Sequence, residues 1–190
     1  DTAIERSLQR IQGMRNLIMD LLDFTKIRLE RKDEKIEPVN LSDIASGAII
    51  TVQPYAIQME VTVKLEVKSD AVIMADPTDM EIIFNNLVSN SVKYNKPGGK
   101  AEIIIDGDES NVVVYFSDTG IGITEADKDN LFTEFVRIKN ERTKNISGSG
   151  LGLSIVKKVI ELYNGTISVE STPDVGTTFI VRLPKKPDKN

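Results

Sequence analysis

Asn86 and Asn90 stand four residues apart in the run Asn85-Asn86-Leu87-Val88-Ser89-Asn90-Ser91-Val92-Lys93-Tyr94. On a helix, steps of four, three and one place Asn86, Asn90, Lys93 and Tyr94 on or beside one face. Ile82, Ile83, Leu87 and Val88 supply the apolar packing of the same helix. An amide oxygen is a hard ligand suited to Mg²⁺, an ammonium suits a phosphate, and an aromatic ring can cover a base. Taken alone, this face is equally compatible with a solvated helix surface.

Three glycine-bearing segments downstream add to it. Ser117-Asp118-Thr119-Gly120-Ile121-Gly122-Ile123 follows Asn111–Phe116, a β-branched and aromatic run that reads as a buried strand. A carboxylate at a strand end, with glycines behind it, lets backbone approach a ligand closely. Being acceptor-only, it suits the exocyclic amino group of adenine better than a phosphate. Ser147-Gly148-Ser149-Gly150-Leu151-Gly152-Leu153 runs into a helical pattern, where free N–H groups and the helix dipole favour an anion. It lacks the Gly-Lys-Ser/Thr ending of a Walker loop, and no strand directly precedes it as a dinucleotide fingerprint requires. Gly176-Thr177-Thr178-Phe179 opens a terminal strand.

In this order, these segments resemble the catalytic ATP-binding domain of the sensor histidine kinases, in the superfamily shared with gyrase, MutL and the large heat-shock chaperone. Asn86–Tyr94 is similar to the asparagine box and Asp118–Ile123 to the first glycine box. Leu131–Arg137 is similar to the phenylalanine box, Gly148–Leu153 to the second glycine box and Gly176–Phe179 to the last. The resemblance implies that Asn90 ligates the Mg²⁺ bridging the phosphates, with Asn86 supporting the same network. Lys93 neutralises phosphate charge and Tyr94 flanks the adenine. Asp118 accepts from the adenine amino group, with Thr177 joined to it through a water. Gly120 and Gly122 give backbone room, while Gly148, Gly150, Leu151 and Gly152 form the lid hinge and phosphate cradle. The cofactors so implied are ATP, leaving as ADP, and Mg²⁺.

Position 86 also separates branches of the superfamily. Hydrolytic members carry a glutamate four residues before the metal-binding asparagine, as general base for water. An amide at Asn86 cannot take a proton at neutral pH, which favours a kinase that spares ATP from water. Glu81 lies five residues before Asn86 and nine before Asn90, out of phase with both. Between the phenylalanine box and Gly148, Val136–Ser147 carries four cations and one acid. Such a stretch alone reads as a solvated loop; in the family's frame it is a basic lid. Arg137 is then the first candidate to stabilise the transferring phosphoryl, and Arg142 the second.

Residues 3 to about 32 form one long helical pattern with a stripe of Ile4, Leu8, Ile11, Met14, Leu17, Ile18, Leu21 and Leu22. A stripe this long ahead of a complete domain points to a bundle partner. Ile18–Ile27 resembles the second helix of the family's dimerisation domain, which implies a homodimer through this helix and a response-regulator receiver domain as partner. The phosphoaccepting histidine belongs on the first helix of that hairpin, and the sequence contains no histidine. A catalytic fragment of a protein-histidine kinase is therefore expected, unable to autophosphorylate alone. A catalytically silent nucleotide-binding signalling module is the alternative.

Composition narrows the field further. A net charge of −5 with no basic face argues against nucleic acid. The absence of cysteine and histidine leaves oxygen ligands for any metal, which suits Mg²⁺. No apolar run is long enough to span a bilayer, so a cytoplasmic piece without membrane contact is expected, whether or not its parent is anchored.

The elements that must position these residues can be read coarsely. A first strand near 37–41 leads to a helix near 41–53 capped by Asn40 or Ser42 and broken at Pro54, then strands near 61–67 and 71–75. The asparagine-box helix runs over 77–94, strands over 101–106 and 111–117, a helix over 149–163, and a last strand pair over 166–171 and 177–183. This α+β order predicts a two-layer α/β sandwich, a Bergerat-type ATP-binding fold with a mixed sheet under about three helices, preceded by one long dimerisation helix. The domain reading is residues 1–36 for that helix, 37–184 for the catalytic ATP-binding domain and 185–190 for a tail.

Overall fold

The structure, a computed structural model, describes residues 35–137, 143, 146 and 148–186, together with Ile11, Met14 and Ile18. The expected N-terminal helix otherwise lies outside the described residues. Ile11, Met14 and Ile18 themselves are helical and exposed.

Strand β1 (Glu37–Asn40) runs directly into helix α1 (Leu41–Gln58), where the Asn40 side chain accepts the Ser42 N–H at 3.0 Å. That contact satisfies one of the donors left free at a helix start. Strands β2 (Thr62–Val67) and β3 (Val72–Ala75) follow, and β3 pairs antiparallel with β1 in a two-stranded sheet. Helix α2 (Pro77–Lys93) carries the asparagine box. It starts with Pro77 in the first turn and the Asp76 carboxylate accepting the Thr78 N–H at 2.9 Å. Strands β4 (Lys100–Gly107) and β5 (Asn111–Asp118), the short helix α3 (Glu125–Lys128), helix α4 (Gly152–Leu162) and strands β6 (Thr166–Thr172) and β7 (Gly176–Pro184) complete the chain order.

The main sheet has the order β2-β4-β5-β7-β6. Its β2–β4 pair is parallel and its other pairs are antiparallel, which makes the mixed sheet of the expected two-layer α+β sandwich. Helices α1, α2 and α4 cover one face. Met80, Ile83, Phe84, Leu87 and Val88 recur at helical spacing on α2 and are fully buried against Ile103, Ile105 and Phe116 of the sheet and against both flanking helices. Phe84 meets Phe116 edge to face at 5.1 Å. With α1 on one side and α4 on the other, a single stripe of α2 remains open, and it carries Asn86, Asn90 and Lys93.

Helix α4 starts at Gly152 rather than at 149, and two further differences from the sequence expectation have a physical reason. Helix α1 continues through Pro54 to Gln58. A proline inside a helix leaves the carbonyl four residues earlier without its donor, and here that residue, Ile50, is on the solvated side. Val52 and Ala56 on the opposite side are buried and hold the last turn down. At the other end, Lys185 is built into the domain rather than opening a tail. Its N–H donates to Ser110 O at 2.8 Å, its carbonyl accepts from Met74 N at 2.9 Å, and its ammonium pairs with Asp70 at 3.2 Å.

A buried polar tie sets the two ends of the helical layer together. The Tyr163 hydroxyl donates to Asp79 Oδ2 at 2.6 Å and accepts the Asp76 N–H at 3.0 Å, joining the end of α4 to the start of α2. Tyr163→Phe takes away a donor from a buried carboxylate and an acceptor from the helix start. It should cost on the order of 1–3 kcal/mol, read as a lower urea midpoint with an unchanged slope.

Candidate functional site

The open stripe of α2 forms one wall of a cleft of about 600 Å³. Asn86, Asn90, Lys93 and Tyr94 line it from α2, Asp118 and Gly122 from the end of β5, and Thr177 from β7. Arg137, Gly148, Gly150 and Gly152 close the third side. Among the described residues, eleven of the thirteen singled out in the sequence therefore share one cavity. Gly120 and Leu151 do not line it.

The α2 wall is tied to the start of α4. The Asn86 amide donates to Ile82 O at 2.8 Å, and a Cβ on Gly152 would lie 2.4 Å from Asn86 Oδ1. A side chain at position 152 would push the Asn86 amide aside. Lys93 Nζ lies 5.5 Å from the centre of the Tyr94 ring and against Gly148, where a Cβ would stand 3.0 Å away. Burial pushes the Tyr94 hydroxyl above its ordinary pKa, an effect opposed by the nearby Arg137 charge. The phenol is thus neutral at physiological pH and presents a ring rather than a charge.

At the end of β5, Asp118 accepts the Gly120 N–H at 2.8 Å and the Thr177 N–H. Burial nevertheless dominates, pushing the carboxyl up from its ordinary 3.8 to about 6. Gly176, at φ +147°, brings β7 flush against this strand end, since a Cβ there would lie 1.9 Å from Asp118 O. Gly120 sits behind Asp118 and acts on it through its N–H. Thr177 is buried, with its hydroxyl 2.9 Å from Ser171 Oγ. Ser171 donates to Gly176 O at 2.9 Å and accepts the Ile123 N–H at 2.8 Å, so Thr177 supplies the proton of the hydroxyl pair.

Leu151 is fully buried and anchors the hinge from behind. Its N–H donates to Ser149 Oγ at 3.1 Å, and its carbonyl accepts from Ile155 N at 2.9 Å and Ser154 Oγ at 2.8 Å. Arg137 donates to the Ile146 carbonyl, joining the phenylalanine box to the far side of the lid. The rest of the basic stretch, with Arg142, lies outside the described residues. The phenylalanine box itself is clamped to the domain. Phe132 meets Phe179 edge to face at 6.5 Å with Lys157 over its ring at 5.7 Å, and Glu134 pairs with Lys158.

Sequence reasoning missed Thr124, Asp127, Asn130 and Thr143 on the wall, and Ser171 behind it. Only Thr124 had a local signal, as the N-cap of α3 accepting the Asp127 N–H at 3.3 Å. Chemically, the cleft wall carries two unlike sets of groups. One holds a partly buried carboxylate and an aromatic ring, suited to a purine. The other holds two amides, an ammonium and a helix N-terminus, suited to phosphates. Among the described residues, no three His, Cys, Asp or Glu side chains gather to hold a metal. A hard amide oxygen such as that of Asn90 would suit Mg²⁺ that keeps its waters and arrives with phosphate oxygens.

Comparison with known proteins agrees with this geometry. A family profile described as histidine kinase-, DNA gyrase B-, and HSP90-like ATPase matches residues 75–187. The circadian input-output histidine kinase CikA of Synechococcus elongatus is 34% identical over 174 residues, covering 90% of this chain and 23% of that protein. The chain spans about a fifth of the length of the curated relatives it matches. The solved catalytic domain of histidine kinase ThkA superposes with a TM-score of 0.71 at 27% identity, covering 82% of this chain and 99% of that one. ThkA in complex with the response regulator protein TrrA shares the fold, with a TM-score of 0.74 at 24% identity, covering 99% of this chain and 51% of that one. No helix among the described residues is long and apolar enough to cross a membrane.

Proposed function

This chain belongs to the family of histidine kinase-, DNA gyrase B- and HSP90-like ATPases, and we propose that it is the catalytic part of a protein-histidine kinase that binds ATP·Mg²⁺ through the cleft. The observation that carries this reading is that Asp118 shares the lining of a single cavity with Asn86, Asn90 and Lys93. Asp118 accepts the adenine amino group, and Tyr94 covers the base. Lys93 and the N–H groups before α4 hold the phosphates, with Asn90 as ligand to the metal. Mg²⁺, when bound, neutralises charge on the phosphate oxygens.

Asn86 decides what attacks. With its amide N–H committed to Ile82 O, it has neither a basic site nor a free orientation with which to activate water. The γ-phosphoryl therefore waits for a stronger nucleophile, a histidine imidazole on a dimerisation helix. A P–N bond forms as the bond from the γ-phosphorus to the bridging oxygen breaks, and ADP leaves with the electron pair. Arg137 reaches the transferring group from the lid. A response-regulator aspartate then takes the phosphoryl, a partnership of the kind seen for ThkA and TrrA. Residues 1–36 would supply the dimer contact and residues 37–185 the catalytic domain.

Titration with a fluorescent ATP analogue, with and without Mg²⁺, tests the site. Asn90→Ala should abolish the gain in affinity that Mg²⁺ gives while sparing metal-free ADP binding. Unchanged metal dependence would return the α2 stripe to a mere wet surface. Asn86→Glu should raise the slow ATPase rate by supplying a base, by up to ~10²-fold.

A further inference from the structure

Asn95 closes α2 one residue past Tyr94, and its side chain is 6% exposed. Its amide group is engaged at both atoms. Nδ2 donates to Ser91 O in the last turn of α2 and to Lys100 O at the start of β4, each at 2.9 Å. Oδ1 accepts the Lys96 N–H at 3.0 Å and faces the Thr119 hydroxyl at 3.4 Å. Thr119 is the residue after Asp118, and its hydroxyl accepts the Lys100 N–H at 2.9 Å while its own N–H donates to Lys100 O at 3.0 Å. Ile121 N–H to Tyr94 O, at 3.0 Å, continues the same seam. Gly99 leaves room for it, since a Cβ there would lie 2.1 Å from Asn95 Oδ1.

This seam joins the segments that carry the two chemically unlike sets of groups in the cleft. Ser91 follows Asn90, and Thr119 follows Asp118. We infer that Asn95, through Thr119, is a positioning residue that fixes the base-reading Asp118 relative to the phosphate-side stripe of α2 and thereby sets the preference for adenine. An amide is suited to the task because it donates to two carbonyls and accepts from two donors at once. An aspartate of the same shape would turn an oxygen toward Ser91 O and Lys100 O, and an aliphatic side chain would leave those carbonyls short of a donor.

The inference rests on the proposed base site, and the test separates the two. ATP and GTP affinities of the 190-residue chain are measured by competition against a fluorescent ATP analogue. The variants are Thr119→Val, Thr119→Ser, Asn95→Ala, Asp118→Asn, and Thr119→Val combined with Asp118→Asn. Thr119→Val keeps shape and removes only the hydroxyl, so it remains informative even where Asn95→Ala fails to fold.

Thr119→Val should weaken ATP roughly tenfold with little change for GTP, narrowing the preference. Thr119→Ser should restore it, and the double variant should bind ATP no more weakly than Asp118→Asn alone. A variant that merely lost folded protein would weaken both nucleotides in proportion. Proportional losses, or losses that add in the double variant, overturn the positioning role while leaving the base site standing. Undiminished ATP affinity in Asp118→Asn removes the base site, and the positioning role with it.

Discussion

Asp118→Asn is expected to move ATP affinity and stability in opposite directions. The carboxylate offers acceptors to the adenine amino group, and the substitution turns one of its two oxygens into a donor. A donor facing a donor in a partly buried site should weaken ATP by roughly ten- to a hundredfold. GTP presents a carbonyl at the same place and should lose nothing. The folded protein without nucleotide should instead gain. Burial raises the Asp118 pKa to about 6, so at pH 7 the site holds a charge that its surroundings disfavour.

The sign follows from proton counting. Between the ordinary value of 3.8 and about 6, the folded state binds more protons than the unfolded chain, so this group's contribution to stability falls as pH rises through that window. Above about 6 the whole penalty is present, and below 3.8 it is gone. An amide carries no such charge. Asp118→Asn should therefore raise stability at pH 7 by on the order of 1–2 kcal/mol and flatten its decline between pH 4 and 6. The gain falls short of the full shift because an NH₂ group cannot accept an N–H from Gly120 or Thr177 as the carboxylate does. For the unmodified chain, acidification through pH 6 should weaken ATP binding, since the ionised carboxylate is the better acceptor. Urea unfolding and nucleotide titration across this range check both slopes. Parallel slopes in the two proteins would mean that Asp118 is not the group responsible.

Such opposition is what a functional position predicts, and it explains which features could be read from the sequence. The asparagine stripe and the glycine segments have local signatures: helical spacing, β-branched strands and turns that tolerate close approach. They sufficed to place Asn86, Asn90, Lys93 and Tyr94 on one wall and Asp118 on another. What joins the walls has no local signature. Ser171 organises Ile123 and Gly176 across a gap of 48 residues on one side, and Thr119 meets Asn95 across 24. Tyr163 meets Asp79 across 84 residues. Leu151 shows the limit of reading a motif by position. Its place within a glycine motif pointed to the ligand, whereas its apolar side chain packs inward and fixes the hinge. At Pro54 the local rule failed because the solvated side of α1 can leave a carbonyl to water while Val52 and Ala56 keep the helix docked.

The largest effect should be seen in phosphoryl transfer. Incubated alone with radiolabelled ATP·Mg²⁺, the chain should acquire no acid-labile phosphate, because its sequence holds no histidine. A dimerisation-domain hairpin bearing a histidine, added in trans, should become labelled in an acid-labile, base-stable form. The cleft contributes position and charge, and the added imidazole contributes the nucleophile. Lys93→Ala should slow labelling by roughly 10²-fold, since it removes an ammonium beside the phosphate end. Arg137→Ala should slow it through the lid, with a smaller loss of ATP affinity than of rate if the guanidinium acts mainly on the transferring group. Asn86→Glu should divert phosphoryl groups to water, lowering the yield on histidine as free phosphate rises. A hairpin that stays unlabelled while the chain binds ATP·Mg²⁺ normally would instead favour a nucleotide-binding signalling module. In that case the Asn86 amide would be protecting bound ATP for its effect on shape, with no transfer to follow.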